Sequence, residues 1–254
     1  MDRKLGWIRQ FHKPESPDAP LLLIFPHAGA GASAYRTLSK ASAANFNVLI
    51  FQYPGRQDRA GEPALPTLSD IAAGAFAEFQ SSEHNRRAPI HTFGHSMGAV
   101  VSFEFARLAE AAGLDVQQLT VSSAVAPCNI AEKPALPTDD EAVLAHMGAL
   151  EGTNSAVMGN LDVMRMALPV MKGDYQAFNA YECADGVKIA ARIHAIGGDQ
   201  DPMITMRDLY GWGKHTDELD VTLFDGGHFF LNSQTEALAE LLTANTAHAA
   251  TPQR

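Results

Sequence analysis

The sequence predicts an α/β fold with helices on both faces of a mostly parallel central sheet. Six short apolar runs alternate with stretches of helical periodicity along the chain. Several of these runs are continuously apolar, as in strands that are buried on both faces. The 254 residues are 46% hydrophobic and 19% charged, which is sufficient for the core of a large domain. We therefore expect one α/β domain over residues 1–254.

The predicted strands and helices follow one another in regular order. The run Leu21-Leu-Leu-Ile-Phe25 is wholly apolar, and Pro54-Gly55 ends the run that follows it. Two clear helices, over residues 68–79 and 99–112, place apolar residues on one side. The predicted strands span residues 21–25, 48–53, 90–93, 119–121, 192–196 and 221–224.

One long segment, residues 129–185, interrupts this alternation and is called the insertion below. It is rich in Ala, Met and Leu and contains no clear strand. Prolines and glycines, including Pro134, Gly152 and Pro169, divide it, so we expect several short helices. An insertion between two strands at the carboxyl edge of a sheet often forms a lid over the site, and we favour that interpretation. The alternative is a helical layer that packs on the core.

Composition excludes several classes of partner. Lys and Arg number 19 against 29 Asp and Glu, which gives a net charge of −10, so nucleic acid and anionic membrane surfaces are poor partners. Two cysteines, Cys128 and Cys183, cannot form a disulfide-rich scaffold. No apolar stretch approaches the roughly 20 residues needed to span a bilayer, and the first residues lack the pattern of a signal peptide. We expect a cytoplasmic monomer.

The most specific motif is Gly94-His95-Ser96-Met97-Gly98, called the elbow below. It lies between a predicted strand and a predicted helix, the context of the nucleophile elbow in the α/β-hydrolase fold. A serine on such a tight turn has strained dihedral angles, and flanking glycines allow strand and helix to approach closely. A G-x-S-x-G pattern alone also occurs by chance in ordinary turns. This placement favours Ser96 as a nucleophile.

A serine hydroxyl needs a general base and an acid that orients that base. His228 follows the last apolar run, and its loop can reach a nucleophile at a neighbouring strand end. Asp199 and Asp201 both follow the strand over residues 192–196. Asp201 is favoured because it lies deeper in the loop before Pro202, whereas Asp199 is better placed to bond its own turn.

Two backbone N–H groups are candidates for an oxyanion hole. The N–H of Met97 follows the nucleophile and lies at a helix N-terminus. A second donor is expected in residues 26–31, the first loop, where small residues let the backbone approach a substrate; Ala28 is the candidate. The phosphate-loop lysine is absent, and the cysteines and histidines have no zinc-like spacing. No metal is expected.

With these residues identified, the sequence resembles the type II thioesterases, stand-alone editing hydrolases of nonribosomal peptide and polyketide synthesis. The resemblance covers most of the chain. Among its segments, Gln52-Tyr-Pro-Gly-Arg-Gln-Asp-Arg59, called the second loop below, has no counterpart in generic hydrolases. Ala30 stands where the family often has a second glycine, and Tyr53 stands where leucine is frequent. The segments that carry the resemblance are 25–29, 52–59, 94–98, 168–175, 198–202 and 227–230.

The resemblance implies hydrolysis of acyl or aminoacyl groups from the phosphopantetheine arm of a carrier protein domain, without a cofactor. It implies a triad of Ser96, Asp201 and His228, and docking of an acidic carrier domain. A carboxylesterase or lipase that acts on small esters remains an alternative with the same triad, and a non-catalytic carrier-binding module is another. The cationic residues considered for docking are Arg56, Arg59, Arg86, Arg87 and Lys133, each of which can also be an ordinary solvated surface charge.

Overall fold

A computed structural model describes residues 6–86, 88–151 and 161–249. Seven strands form one sheet in the order β1-β3-β2-β4-β5-β6-β7, and only β1 is antiparallel to its neighbour. The strands are β1 (Ile8–Arg9), β2 (Leu21–Phe25), β3 (Asn47–Phe51), β4 (Ile90–His95), β5 (Val116–Ser122), β6 (Arg192–Gly198) and β7 (Leu219–Phe224). The helices are α1 (Arg36–Ser42), α2 (Leu68–Ser81), α3 (Met97–Ala111), α4 (Asp140–Glu151), α5 (Leu161–Asn179), α6 (Met206–Tyr210) and α7 (Thr235–Ala249).

All six predicted strands are present, with ends that differ by a few residues. β1 was not predicted, because two residues paired antiparallel to β3 are too few to give a pattern. β7 is an edge strand, and its residues are half-buried or exposed, whereas β2, β3 and β4 are buried throughout. The continuous apolar runs thus correspond to the central strands.

Alternate side chains of the central strands enter two separate hydrophobic cores. On β2, Leu21, Leu23 and Phe25 belong to one core, and Leu22 and Ile24 belong to the other. The first core contains the buried faces of α2 and α3, and the second contains those of α1 and α7. This arrangement explains the apolar runs, since every side chain of a strand covered on both faces is removed from water.

The described part of the insertion is helical. It comprises the end of a 3-10 turn at Pro127–Glu132, then α4 and α5, while residues 152–160 lie outside the described residues. α5 runs for 19 residues through Pro169, which was expected to end a helix. Pro169 is exposed, and one missing backbone hydrogen bond is offset by the burial of Leu168 and Met171 beside it. No helix in the described ranges is long and apolar enough to cross a membrane.

Candidate active site

Ser96 lies on a strained turn between the end of β4 and the start of α3. Its φ of 53° and ψ of −122° place it in a region that residues with a side chain rarely adopt. A Cβ added to Gly94 would lie 2.2 Å from the carbonyl oxygen of Gly98, and one added to Gly98 would lie 2.0 Å from that of Phe25. Both glycines are therefore required by close backbone packing, and the elbow presents Ser96 at the carboxyl edge of the sheet.

His228 and Asp201 form a buried pair beside this elbow. The Nδ1–H of His228 donates to Oδ2 of Asp201 at 2.9 Å, and both side chains are almost wholly buried. A carboxylate only accepts hydrogen bonds, so this contact places the ring proton on Nδ1 and leaves Nε2 as an acceptor. Within the described residues, Nε2 has no hydrogen-bond partner. Ser96 and His228 line the same cavity, although no hydrogen bond yet joins them.

The two candidate aspartates have different partners. Oδ1 of Asp201 accepts the N–H groups of Met203 and Ile204 at 2.9 and 3.2 Å, which fixes the carboxylate while its other oxygen bonds His228. Asp199 is exposed, and its Oδ1 accepts the N–H of Gly226 at 3.0 Å. Asp199 therefore ties the turn after β6 to the turn after β7, and Asp201 is the carboxylate that contacts His228.

The surroundings of Asp201 favour its ionised form. Burial alone would raise the pKa of this carboxyl, but several contacts outweigh burial and bring the pKa below its ordinary value. The largest is the hydrogen bond with His228, followed by the charge of that ring and by the hydrogen bond from the N–H of Met203. Asp201 is consequently a carboxylate at neutral pH.

Both candidate oxyanion donors line the cavity that contains Ser96. Ala28 belongs to the first loop after β2, and Met97 is the first residue of α3. Neither N–H donates a hydrogen bond within the described structure. The N–H of Met97 also lies at the positive end of the α3 dipole. The structure thus brings together all five residues that were predicted from sequence.

The cavity has a volume of about 390 Å³ and mostly apolar walls. The insertion supplies one side of it through α4, α5 and the segment that precedes α4, and the β6–α6 turn supplies another. Its apolar wall includes Val125, Leu136, Pro137, Leu150, Phe178 and Ile204. Such a cavity accommodates an apolar ligand group.

Two further histidine rings pack one behind the other next to His228. His95 contacts His228 with ring centroids 5.1 Å apart, and His27 contacts His95 at 5.5 Å. Burial, with the charges of His228 and Arg56, lowers the pKa of His27 to about 3. Burial also lowers the pKa of His95 well below its ordinary value. At neutral pH both rings are therefore neutral packing partners.

A buried ion pair connects the insertion to the first loop. Nη2 of Arg56, in the second loop, contacts both carboxylate oxygens of Asp174 on α5, and each side chain is only 3% exposed. Oδ2 of Asp174 also accepts the N–H of Gly29 at 2.7 Å. Gly29 follows Ala28, so this ion pair fixes the backbone beside a candidate oxyanion donor. The guanidinium also lies 4.8 Å from the ring centroid of Tyr53.

The prediction that Arg56 and Arg59 dock a carrier domain is wrong, because neither is at the surface. Arg59 is 2% exposed; it contacts Glu62, donates to the carbonyl of Gln52 and lies over the ring of Trp7. Both arginines stabilise the second loop through contacts inside the protein. Their spacing in the sequence does not distinguish such buried arginines from arginines at the surface.

The remaining docking candidates are distributed differently. Arg86 is exposed and donates to the carbonyl of Glu83, and Arg87 lies outside the described residues. Lys133 lines the cavity and forms an ion pair with Asp208 at 2.7 Å. In the described ranges, no group of three or more His, Cys, Asp or Glu residues could hold a metal ion, and Cys128 and Cys183 are free.

Sequence reasoning missed the partners within the site. The 168–175 and 52–59 segments were recognised, but nothing in the sequence indicates that Asp174 and Arg56 pair across 118 residues. Tyr175 and His146 also line the cavity, and neither was predicted there. Helical spacing offered the only signal, since Met171, Asp174, Tyr175 and Phe178 share one face of α5.

Several known proteins are similar to this chain. Phenyloxazoline synthase MbtB of Mycobacterium tuberculosis (strain CDC 1551 / Oshkosh) is 41% identical over 241 residues, which are 94% of this chain but 17% of the synthase. The chain therefore spans only about a sixth of the length of that relative. Thioesterase PikA5 of Streptomyces venezuelae is 34% identical over 230 residues, with 90% of this chain and 81% of the relative covered.

Solved structures agree with the fold. The type II thioesterase BorB from the borrelidin biosynthetic cluster superposes with a TM-score of 0.78 at 35% identity, over 94% of this chain and 95% of that one. This likeness confirms the predicted α/β-hydrolase fold. The family described as thioesterase domain matches residues 20–246. The chain belongs to the thioesterase family.

Proposed function

We propose that this chain hydrolyses acyl or aminoacyl thioesters carried on the phosphopantetheine arm of carrier protein domains. One observation carries the proposal: the strained Ser96 lines a mostly apolar cavity together with His228, whose ring is hydrogen-bonded to Asp201. Family membership supports thioester chemistry, and relatives such as BorB and PikA5 are named thioesterases, BorB from a biosynthetic cluster. The biological role would be editing or release of groups in nonribosomal peptide or polyketide synthesis.

In the first half-reaction, Nε2 of His228 accepts the proton of Ser96 as Oγ attacks the thioester carbonyl. The N–H groups of Ala28 and Met97 stabilise the oxyanion of the tetrahedral intermediate. Collapse breaks the carbon–sulfur bond, and His228 gives its proton to the departing thiolate. The product is an acyl-serine and a free pantetheine thiol.

In the second half-reaction, His228 takes a proton from water, whose oxygen attacks the acyl-serine carbonyl. The same two N–H groups receive the second oxyanion, and collapse returns the proton to Ser96 as the carboxylic acid leaves. Asp201 holds the ring in the productive tautomer and stabilises the imidazolium in both steps. Because burial keeps His27 and His95 neutral, neither opposes the transient charge on His228.

The proposed mechanism uses only side chains, backbone N–H groups and water, so no cofactor takes part. The partner is a carrier domain that delivers the phosphopantetheine arm, and we propose a cytoplasmic monomer that acts on it. The insertion would act as a lid, because α4 and α5 cover the cavity. Of the docking candidates that the structure describes, exposed Arg86 remains available for contact with an acidic carrier, whereas Lys133 is paired with Asp208.

The decisive experiment compares Ser96→Ala with wild type on acyl-pantetheine and acyl-carrier thioesters, by release of free thiol. We expect a loss of at least about a thousandfold in kcat. Ser102→Ala is a matched control, because Ser102 is a buried serine of α3 away from the cavity, and it should retain turnover. Turnover by Ser96→Ala at the wild-type rate would refute the assignment.

The competing functions give different results in the same assay. A carboxylesterase would cleave a simple aryl ester with higher kcat/KM than the acyl-carrier thioester. A non-catalytic carrier-binding module would cleave neither and would not be labelled at Ser96 by a fluorophosphonate. We expect faster thioester cleavage, with labelling that Ser96→Ala abolishes.

A further inference from the structure

Six polar or charged residues line the cavity, and most are already engaged. Ser96 and His228 belong to the proposed reaction. Ser123 donates to the carbonyl of His228 at 3.3 Å, and Lys133 forms its ion pair with Asp208. The two polar side chains that remain are Tyr175 on α5 and His146 on α4. The proposed reaction uses neither of them.

Tyr175 is a buried residue whose hydroxyl forms no hydrogen bond within the described structure. The residue is only 4% exposed, and its hydroxyl has no hydrogen-bond partner within the described structure. Burial, with the charge of Asp174, raises the pKa of Tyr175 to about 12, so the hydroxyl remains a donor at neutral pH. The hydroxyl oxygen itself is not fully buried, so it remains open to a ligand in the cavity that Tyr175 lines.

His146 approaches the same point from the opposite helix. Its ring meets the Tyr175 ring edge-on, with centroids 5.5 Å apart and planes at 89°. Burial, with the charge of His228, lowers the pKa of His146, which favours the neutral ring. A neutral imidazole offers one donor and one acceptor. The pair therefore places both kinds of hydrogen-bonding group within otherwise apolar walls.

We infer that Tyr175 and His146 form a specificity site for one hydrogen-bonding substituent, a hydroxyl, keto or amino group, on the acyl chain of the substrate. This inference rests on the proposed function. An unsubstituted alkyl chain leaves both side chains unpaired, whereas a polar substituent pairs them. A site built to hydrogen-bond a substituent discriminates strongly against the analogue that lacks it.

The location of Tyr175 favours the acyl chain over the amides of the phosphopantetheine arm. The arm remains attached to a carrier domain outside the cavity, whereas the acyl chain is the free end that enters it. Tyr175 is nearly inaccessible to solvent and shares its face of α5 with Phe178, which belongs to the apolar wall. An acyl chain that packs against this apolar wall would bring its substituent to the hydroxyl of Tyr175.

The test measures kcat/KM for acyl-pantetheine thioesters of equal chain length, either unsubstituted or hydroxylated at successive carbons. Tyr175→Phe keeps the ring and removes only the hydroxyl. The selectivity ratio is kcat/KM for the best hydroxylated substrate divided by kcat/KM for the unsubstituted one. We expect this ratio to fall about tenfold in Tyr175→Phe. Tyr181→Phe is the matched control, because Tyr181 is a buried tyrosine whose hydroxyl bonds Glu104 outside the cavity.

The outcomes separate the inference from the function on which it rests. An unchanged ratio in Tyr175→Phe, with thioester cleavage intact, overturns the specificity site alone. A second outcome is that kcat/KM falls equally for every acyl group on pantetheine, but not when the same acyl groups are carried by a thiol without amides. This outcome would assign the Tyr175 hydroxyl to binding of the pantetheine arm, and it would also overturn the specificity site. If the wild-type protein cleaves no thioester at all, both proposals fail.

Discussion

The buried pair of Arg56 and Asp174 allows a quantitative test of how the insertion is held to the first loop. Each side chain is 3% exposed, and Asp174 also binds the N–H of Gly29. Removing one partner leaves an uncompensated buried charge, which costs about 3–5 kcal/mol. Replacing both by apolar residues leaves no such charge. We therefore expect Arg56→Met or Asp174→Leu alone to destabilise strongly, and the double variant to cost well under the sum.

The assay is equilibrium unfolding in urea, followed by tryptophan fluorescence, on wild type, both single variants and the double variant. We expect an interaction energy of about 2–3 kcal/mol between the two sites. Arg56→Lys keeps the charge but loses the two-oxygen contact, so it provides a milder variant if the others do not fold. Lys188→Met is the control, since Lys188 and Asp217 form an exposed pair whose loss costs less than about 1 kcal/mol.

The pH dependence of Arg56→Met provides a second readout. Burial raises the pKa of Asp174, and Arg56 is the first cause that opposes this rise. Without Arg56 the folded protein retains a proton on Asp174 at pH values where the unfolded chain has lost it. The stability of the variant then falls as pH rises above about 4, the ordinary pKa of an aspartate, so its deficit relative to wild type grows with pH. Additive single effects, or a deficit that shrinks as pH rises, would refute the reasoning.

Two further predictions concern the proposed triad and the elbow. Asp201→Asn should lower kcat by about 10⁴ in a thioesterase assay, and an unchanged kcat would remove Asp201 from the mechanism. Contacts lower the pKa of Asp201 in the folded state, so its carboxylate stabilises the fold above about pH 4, and this contribution is lost in stronger acid. Urea unfolding should therefore show that Asp201→Asn lowers the free energy of unfolding above about pH 4 and that this loss disappears at lower pH. Gly98→Ala should cost more than about 2 kcal/mol of stability and most activity, since its Cβ would lie 2.0 Å from a backbone oxygen. Gly173→Ala is its control: nothing lies within 4 Å of the added Cβ in helix α5, so equal losses in both variants would contradict the steric explanation.

The strands of the sheet were predictable because they are covered on both faces. Their burial imposes apolar runs such as the one over β2, and the elbow follows one of these runs directly. The same argument fails for β1, whose two residues bury little, and for α5, where packing on both sides of Pro169 overrides the local preference of proline. Local sequence patterns therefore predicted those elements whose conformation depends on residues close in the sequence.

The proposed catalytic residues were accessible from sequence for a related reason. In a parallel sheet, the carboxyl ends of neighbouring strands meet at one edge, so residues after β4, β6 and β7 converge whatever the packing around them. Ser96, Asp201 and His228 occupy those three positions. The partners of Arg56, Tyr175 and His146 depend on how the insertion folds back over the sheet, and no local rule specifies that arrangement.

Two of the segments that carry the family resemblance meet at one point in this structure. The second loop supplies Arg56 and the end of the insertion supplies Asp174, and their pair closes on Gly29 of the first loop. The next residue of α5, Tyr175, lines the cavity. The same helix face therefore braces the backbone beside a proposed oxyanion donor and shapes the space for the acyl chain. A substitution of Asp174 should therefore lower kcat for every acyl group, whereas one of Tyr175, on the same face of α5, should change the relative kcat/KM of different acyl groups.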